Sequence, residues 1–328
     1  MNKIYLIETD FLFGKKKFTD KIQGYNWFYL SADYIKYLKL INEKILDKSL
    51  NIDFYEEFKR VEEEVREKYI EYISSLSEKY DSFAWWISSI QEKNIICKNN
   101  LFLQICLLNI VLSYIEKKRI LVVITDDIYL LKCLHRNIKH SELYLNKTSN
   151  FLNQLKLFYK TRKRFLFSTY QSNIKKKNNN KFEEKENYIG LITWIDKRNF
   201  RNDEFKENYF CALFDKLKKR KDFILLPFFL YTFPKKIAKE KLLKEKFLFY
   251  DLFDGKISII QLLKIIVGSL IPPKWLNDKF IFLNYDISIL IRSKVLEDFI
   301  KNRNSNYYKY YYSIKNFLKS GIKIKKLI

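Results

Sequence analysis

The sequence predicts an α/β fold, with a Rossmann-like parallel sheet flanked by many helices and a helical C-terminal segment. Three apolar runs carry this prediction. Residues 120–124 (ILVVI) lead into two acidic residues and then a helix-patterned stretch. Residues 191–195 (LITWI) and 223–230 form the other two runs. Between these two, residues 203–219 show apolar side chains at helical spacing. That order is the strand–helix–strand unit of a parallel sheet.

Two adjacent acidic residues follow the run at 120–124. Asp127 suits a helix N-cap, because its side chain can accept hydrogen bonds from helix amides. Asp126 can bind a hydroxyl group at the carboxyl end of a strand, where open α/β sheets hold their ligands. A cap role for either residue is the structural alternative. The sequence has no G-x-G-x-x-G and no P-loop pattern, which disfavours dinucleotide or P-loop triphosphate binding.

Residues 193–200 (TWIDKRNF) place polar side chains at the end of a second predicted strand. Asp196 is a candidate general base, and Arg198 can pair with an acidic sugar or a phosphate. Trp194 can stack on a sugar ring. The structural alternatives are an Asp196–Arg198 salt bridge within the loop and a core position for Trp194.

A pair of adjacent tryptophans, Trp85 and Trp86, opens the stretch FAWWISSIQEKN. Neighbouring side chains on a helix project about 100° apart. One indole can therefore fill the core while the other faces a cleft, although core packing of both is the alternative.

The predicted domain organisation has two parts. Residues 1–272 form a Rossmann-like α/β domain, in which 174–187 are a disordered or flexible, Asn- and Lys-rich insertion. Residues 273–328 form a helical extension that leads towards a missing second domain. Within the first part, Asp53 begins a predicted long helix over 53–79, whose glutamates form a solvated face.

The chain has 328 residues and a formal net charge of +24, from 62 basic and 38 acidic residues. Nucleic acid, an anionic membrane or an acidic substrate suits such a charge. Gly, Pro and Met are scarce while Lys, Asn, Ile, Phe and Tyr abound, so AT-rich codon usage explains much of it. Residues 150–170 are amphipathic and basic, typical of an interfacial helix or of an ordinary packing helix with a basic face.

The cysteines, histidines and apolar stretches argue against a disulfide framework, a zinc site and a membrane span. None of the cysteines forms a C-x-x-C pair, and three lie in apolar helical stretches, which predicts buried free thiols. Neither histidine has a partner at metal-ligand spacing, so no zinc site is expected. The N-terminus lacks a signal-peptide pattern. Residues 101–115 and 257–271 are shorter than the ~20 apolar residues of a membrane span and are predicted to be buried helices.

Three segments together resemble a family of bacterial surface-carbohydrate biosynthesis proteins, similar to glycosyltransferases of the GT-B type. The first runs from Trp85-Trp86 through Lys93-Asn94 into the helix at 101–106. The second is the strand tip at 120–126. The third and most specific is TWIDKRNF with the following FKENYF at 205–210.

The resemblance covers the chain as the N-terminal half of a longer pattern and implies an N-terminal Rossmann-like domain that holds the acceptor. A second domain or chain holds the nucleotide-sugar donor, so no cofactor is expected for this chain alone. Asp196 and Asp126 are the catalytic candidates. The substrate-binding candidates are Arg198, Trp194, Trp86, Asn94 and Lys206.

Two functions therefore compete. The first is a glycosyltransferase-like protein that acts on a sugar or lipid-linked sugar acceptor. It is expected in the cytoplasm, with peripheral attachment at the inner membrane face. The alternative is a basic module that binds nucleic acid or an anionic membrane without catalysis. Nucleic acid is the less favoured partner, because basic residues are spread along the chain and no nucleic-acid-binding motif occurs.

Overall fold

A computed structural model describes residues 3–91, 101–116, 122–146, 150–174, 187–201, 204–229, 234–245, 247–251, 257–319 and 322–328. The helices are α1 (Thr9–Gly14), α2 (Lys16–Ile22), α3 (Tyr34–Asn42), α4 (Tyr55–Lys79), α5 (Phe83–Trp86), α6 (Leu101–Glu116), α7 (Ile128–Asn137), α8 (Asn150–Ile174), α9 (Cys211–Leu217), α10 (Lys235–Leu242), α11 (Ile259–Leu270), α12 (Ser288–Ile300) and α13 (Arg303–Leu318). The strands are β1 (Ile4–Glu8), β2 (Trp27–Tyr29), β3 (Val122–Thr125), β4 (Ser141–Tyr144), β5 (Asn187–Ile195), β6 (Phe200–Arg201), β7 (Glu204–Phe205), β8 (Phe223–Phe229), β9 (Leu248–Phe249), β10 (Ile281–Phe282), β11 (Tyr285–Asp286) and β12 (Lys323–Leu327).

The chain forms two compact units. Unit 1 comprises Met1–Thr161 and Pro272–Asn304, and unit 2 comprises Arg162–Ile271 and Ser305–Ile328. Each unit has its own parallel sheet and its own helices. The predicted mixed α/β class with parallel sheets and many helices is confirmed.

A four-stranded parallel sheet in the order β2-β3-β1-β4 lies at the centre of unit 1. Successive residues of β1 face opposite sides of this sheet, as strand geometry requires. Ile4 and Leu6 pack with α4, α6, α7 and α12 on one side. Tyr5 and Ile7 pack with α1, α2 and α3 on the other. Because helices cover both faces, β1, β2 and β3 are buried and almost entirely apolar, whereas the edge strand β4 is half-buried.

Helix α4 corresponds to the helix predicted over residues 53–79. Its buried stripe consists of Val61, Val65, Tyr69, Ile73 and Leu76. The glutamates lie off this stripe, where several pair with Arg60 and Arg66. They form a solvated helix face, as the sequence predicts.

Residues 272–304 belong to unit 1, which differs from the predicted boundary at 272. Trp275, Phe280 and Ile291 are buried in the same core as Trp85, and the Trp85 and Trp275 ring centroids lie 5.1 Å apart. Residues 305–328 instead contribute α13 and β12 to unit 2. The predicted helical extension over 273–328 is therefore divided between two cores. The predicted insertion at 174–187 lies almost wholly outside the described residues.

Unit 2 has a parallel sheet in the order β12-β5-β8-β9. On one face, Leu191 and Ile195 of β5 pack with side chains of α9 and α10. On the other, Tyr188 packs against Phe317 of α13 and Ile322. The apolar runs predicted at 191–195 and 223–230 are thus neighbouring strands, paired in register from Ile189 with Phe223 onwards.

The helix predicted over residues 203–219 is wrong in its first half. Glu204 and Phe205 form β7, and the helix covers Cys211–Leu217 only. Phe205, Phe214 and Leu217 are the side chains that enter the core. Tyr209, four positions after Phe205 and thus at helical spacing from it, is half exposed. Spacing alone did not show that an irregular turn separates the two halves.

The two apolar helices differ in burial. Helix α6, predicted as buried at 101–115, has ten buried residues and is a core helix of unit 1. The helix predicted as buried at 257–271 is α11, and this prediction is wrong, because only Ile265 and Ser269 of α11 are buried.

The predicted buried free thiols are confirmed for Cys106 and Cys133. Burial raises the pKa of each thiol to about 12. Cys211 is exposed at the start of α9, and Cys97 lies outside the described residues.

Candidate functional site

The carboxyl ends of three neighbouring strands meet at one edge of the unit 1 sheet. Glu8 at the end of β1 lies beside Thr125 at the end of β3, and Tyr29 at the end of β2 lies beside Ile124. Ser31 is the second residue after β2, and Asp126 directly follows β3. Such an edge is where open α/β sheets place their ligands.

Asp126 is hydrogen-bonded through both carboxylate oxygens. Ser31 Oγ donates to Oδ2 at 2.6 Å, and Lys36 Nζ donates to Oδ1 at 2.8 Å. Each carboxylate oxygen has a second lone pair that can accept a further hydrogen bond. Asp126 therefore remains able to accept from a ligand hydroxyl.

Lys36 is positioned by the first turn of α3. The Asp33 side chain caps this helix by accepting from the Lys36 amide at 3.1 Å. The Lys36 ammonium reaches the strand edge, where it lies between Asp126 and Asp10, 2.7 Å from Asp10 Oδ1. The result is one cation shared by two carboxylates.

The pKa values of Asp126 and Lys36 shift in opposite directions. Partial burial disfavours both charged forms, but the hydrogen bonds outweigh it. The bonds from Lys36 and Ser31 lower the pKa of Asp126. The bonds to Asp10 and Asp126 raise the pKa of Lys36. Near neutral pH the site therefore holds a carboxylate and an ammonium.

Asp127 has the cap role that the sequence predicts. Its Oδ1 accepts from the amides of Tyr129 and Leu130, both at 3.0 Å. Its Oδ2 accepts from Gln104 Nε2 at 2.5 Å. The other end of the Gln104 amide, Oε1, is buried and has no hydrogen-bond partner among the described residues. A buried acceptor without a donor favours a ligand that supplies one.

A cavity of about 480 Å³ opens at this strand edge, which is within the usual range for small-molecule sites. Its lining includes Ser31, Gln104, Asp126, Lys294 and Glu297. Lys294 of α12 is buried, and burial lowers its pKa although the negative charge of Asp127 opposes this. The lining thus combines carboxylate, amide, hydroxyl and ammonium groups.

These groups suit a small ligand with many hydroxyl groups. Carboxylate and amide oxygens accept hydrogen bonds from hydroxyl groups, while Lys294 can donate to ring or hydroxyl oxygens. Asp126, ionised and next to a cation, can also take a proton from a hydroxyl group during reaction. These groups are able to bind a polyol and to activate one of its hydroxyl groups.

The predicted site at 193–200 contains the Asp196–Arg198 salt bridge of its structural alternative, whereas Trp194 does not have the alternative core position. Asp196 is buried and caps the short 3₁₀ helix Lys197–Asn199, accepting from the Arg198 amide at 2.7 Å. The Arg198 guanidinium donates to Asp196 Oδ2 from Nε at 2.9 Å and from Nη2 at 2.6 Å. The hydrogen bond from Arg198 lowers the pKa of Asp196 and outweighs the effect of burial, which raises it. The catalytic role of Asp196 stays a prediction.

Glu207 is the structural centre of this segment. It is buried, and it accepts from the Thr193 hydroxyl at 2.6 Å. It also accepts from the amides of Tyr209, Phe210 and Cys211. Glu207 therefore ties the end of β5 to the start of α9.

The other substrate-binding candidates are dispersed. Trp194 is half exposed on β5, with its ring centroid 4.2 Å from that of Phe228. Lys206 is exposed in unit 2. Trp86 is exposed in unit 1, bonded to Asp81 at 2.8 Å, and does not line the cavity. Asn94 lies outside the described residues. Of the predicted site residues that the structure describes, Asp126 alone lines the cavity.

Sequence reasoning missed most of the cavity. The lining residues Ser31, Gln104 and Lys294 were not singled out, because they come from separate segments of the chain. Lys36, which contacts Asp126, was missed for the same reason. The one available signal was the short apolar run at 27–30, which precedes Ser31 in the sequence.

Comparison with known proteins found no family model, no curated protein and no solved structure that matches the chain. Within the described ranges, no group of three or more His, Cys, Asp or Glu side chains is placed to hold a metal ion.

Proposed function

We propose that the protein is a glycosyltransferase-like enzyme of bacterial surface polysaccharide biosynthesis. In this proposal the cavity of unit 1 holds a sugar or lipid-linked sugar acceptor. The supporting observation is the position of Asp126, bonded to Lys36 and Ser31 at the carboxyl ends of parallel strands, in a cavity of suitable size. The sheet of unit 1 is compatible with the Rossmann-like, GT-B-type domain of the family that the sequence resembles.

Asp126 would orient one acceptor hydroxyl and accept its proton. That oxygen attacks the anomeric carbon of the donor sugar and forms the new glycosidic bond. The bond between the anomeric carbon and the donor phosphate breaks, and its electron pair leaves with the nucleoside phosphate. The lowered pKa of Asp126 keeps it ionised but makes it a modest base. Proton transfer is therefore expected to accompany the attack rather than to precede it.

The proposal assigns binding roles to Gln104 and Lys294. The unpaired Gln104 Oε1 would accept from a second hydroxyl group of the acceptor. Lys294 would donate to an oxygen on the same sugar. A second domain or chain would supply the nucleotide-sugar donor. Asp196, Arg198, Trp194, Trp86, Asn94 and Lys206 remain candidates from the sequence alone.

The test is release of nucleoside phosphate by the chain together with the domain or chain that binds the donor, from a panel of UDP-, GDP-, dTDP- and CMP-sugars, with methyl glycosides and lipid-linked sugars as acceptors. We expect Asp126→Asn to lower kcat/KM about 100-fold, the loss typical of a removed general base. Asp20→Asn, which removes an exposed carboxylate of α2, is the matched control and should leave the rate unchanged. Equal rates for Asp126→Asn and the wild type would refute the role of Asp126.

A further inference from the structure

Helix α11 exposes an apolar face. Five large apolar side chains of α11, and that of Ile271 directly after it, are 45% to 78% exposed. They are Ile259, Ile260, Leu263, Val267, Leu270 and Ile271. At 100° per residue these positions fall within an arc of about 120°. An ordinary surface helix turns such a stripe towards the core. Here the stripe faces away from it.

The opposite face of α11 is fixed to unit 2. Ile265 is buried with Phe165 of α8. Gln261 and Asn316 of α13 exchange two amide hydrogen bonds, at 2.8 and 3.0 Å. Gly268 lets the Tyr308 ring approach so closely that a Cβ there would lie 3.0 Å from it. These contacts fix the rotation of α11 about its own axis. Its apolar face therefore points away from the core of unit 2.

The helix is too short to cross a bilayer. One described stretch, Ile259–Asn277, is apolar and long enough for a span by length and composition. However, α11 ends at Leu270, before Pro272-Pro273, and Trp275 is buried in the core of unit 1. Twelve helical residues measure about 18 Å, against a hydrocarbon thickness of about 30 Å. A helix of this length can lie in the plane of a membrane surface.

The charge of unit 2 identifies the partner. Unit 2 contains 31 Lys and Arg against 13 Asp and Glu, a net charge of +18, whereas unit 1 carries +6. Lys264 on α11 is exposed, as are Lys163 and Arg164 beside the buried Phe165. A strongly positive unit is attracted to anionic lipid and repels a second copy of itself.

We propose that unit 2 binds the surface of an anionic lipid bilayer, with α11 lying in the interface and its apolar face among the acyl chains. Basic residues around it contact the lipid headgroups, as in other interfacial helices. This inference stands independently of the proposed catalytic function, since none of its residues lines the unit 1 cavity.

The test is sedimentation of the full chain with vesicles. One set contains phosphatidylcholine alone, and the other contains phosphatidylcholine with phosphatidylglycerol. We expect at least tenfold tighter binding to the anionic vesicles, weakening as salt screens the charges. The triple variant Ile260→Gln, Leu263→Gln and Val267→Gln should weaken anionic-vesicle binding at least tenfold. Amide hydrogen exchange in α11 should slow when vesicles are added to the wild type.

The matched control replaces three exposed apolar residues of unit 1, as Ile70→Gln, Leu103→Gln and Leu296→Gln. It should bind vesicles as the wild type does, and circular dichroism should show both variants folded. Unchanged binding by the α11 variant would overturn the proposal, because charge alone would then suffice. A wild-type dimer that the α11 variant converts to a monomer, without vesicle binding by either, would assign the face to self-association and overturn it as well.

Discussion

At the scale of residues, the candidate site contains one ammonium group, that of Lys36, shared by the carboxylates of Asp126 and Asp10. Asp126 and Lys36 are 90 positions apart, yet Lys36 Nζ lies 2.8 Å from Asp126 and 2.7 Å from Asp10. Asp126 was predictable, because an acidic residue directly after a buried strand marks the ligand edge of a sheet. Lys36 was not, because nothing in the sequence near α3 shows that its first turn lies at the end of β3.

The ion pair makes the stability of unit 1 depend on pH. The pKa of Asp126 is lower in the folded protein than in the unfolded chain. Its contribution is therefore present above the unfolded value and is lost as pH falls through the folded value. We expect the difference in free energy of unfolding between the wild type and Asp126→Asn to shrink as the pH is lowered from 6 to 3. Urea titrations across this range measure it, and a difference that grows on acidification would contradict the assignment.

The substitution Lys36→Met tests the Asp126–Lys36 ion pair by removing its ammonium group. Removing the ammonium removes two of the interactions that lower the pKa of Asp126, so that pKa should rise. Carbon-detected NMR titration of the Asp126 carboxyl group measures the change. Lys132→Met, which removes an exposed lysine of α7, should leave the titration unaltered. An unchanged pKa in Lys36→Met would mean that the ion pair does not persist in solution.

At the scale of elements, tertiary contacts override the local pattern in two places. The segment over 203–219 has helical spacing, but Glu207 holds three successive amides and the Thr193 hydroxyl in a turn. Helix α11 has the composition of a core helix, yet its outer face is exposed. Hydrophobicity showed that α6 and α11 are helices. It could not show that α6 is buried in a core while one face of α11 is exposed.

Glu207→Ala should destabilise unit 2 by about 3 kcal/mol. The substitution leaves the buried Thr193 hydroxyl and three amides without their acceptor, and each unsatisfied buried group costs about 1–3 kcal/mol before water partly replaces the bond. Urea unfolding followed by circular dichroism measures the loss. Glu240→Ala, at an exposed position of α10, should change the free energy of unfolding by less than about 0.5 kcal/mol. Equal stability of Glu207→Ala and the wild type would contradict the cap role.

At the scale of the whole molecule, the sequence correctly predicted the α/β class and its parallel strands. It did not predict the division into two units, because each core draws on segments far apart in the chain. Residues 272–304 complete unit 1, and residues 305–328 complete unit 2. The charged sequence KIKKL of β12 did not suggest a strand, because β12 lies at the edge of the sheet, where its lysines are exposed and Ile324 packs against the core.

A chain ending at residue 271 tests this division. It keeps the whole predicted α/β domain but lacks α12 and Trp275, which cover part of the unit 1 core. We expect it to expose apolar surface, to bind the dye ANS strongly and to lose cooperative unfolding. In the full chain, Trp275→Ala should be folded but less stable by about 3–5 kcal/mol. A cooperative, ANS-negative chain of residues 1–271 would show that the division is wrong.

The most direct test of the acceptor site is saturation-transfer NMR on the full chain. The probe is a mixture of methyl glycosides of glucose, galactose, mannose, N-acetylglucosamine and N-acetylgalactosamine. We predict saturation transfer to at least one glycoside in the wild type, and its loss in Ser31→Trp, which fills the cavity beside Asp126. The Asp20→Asn control should retain the signal. Transfer of equal strength in Ser31→Trp and the wild type, or none to any glycoside, would contradict a sugar-binding cavity at the carboxyl ends of β1, β2 and β3.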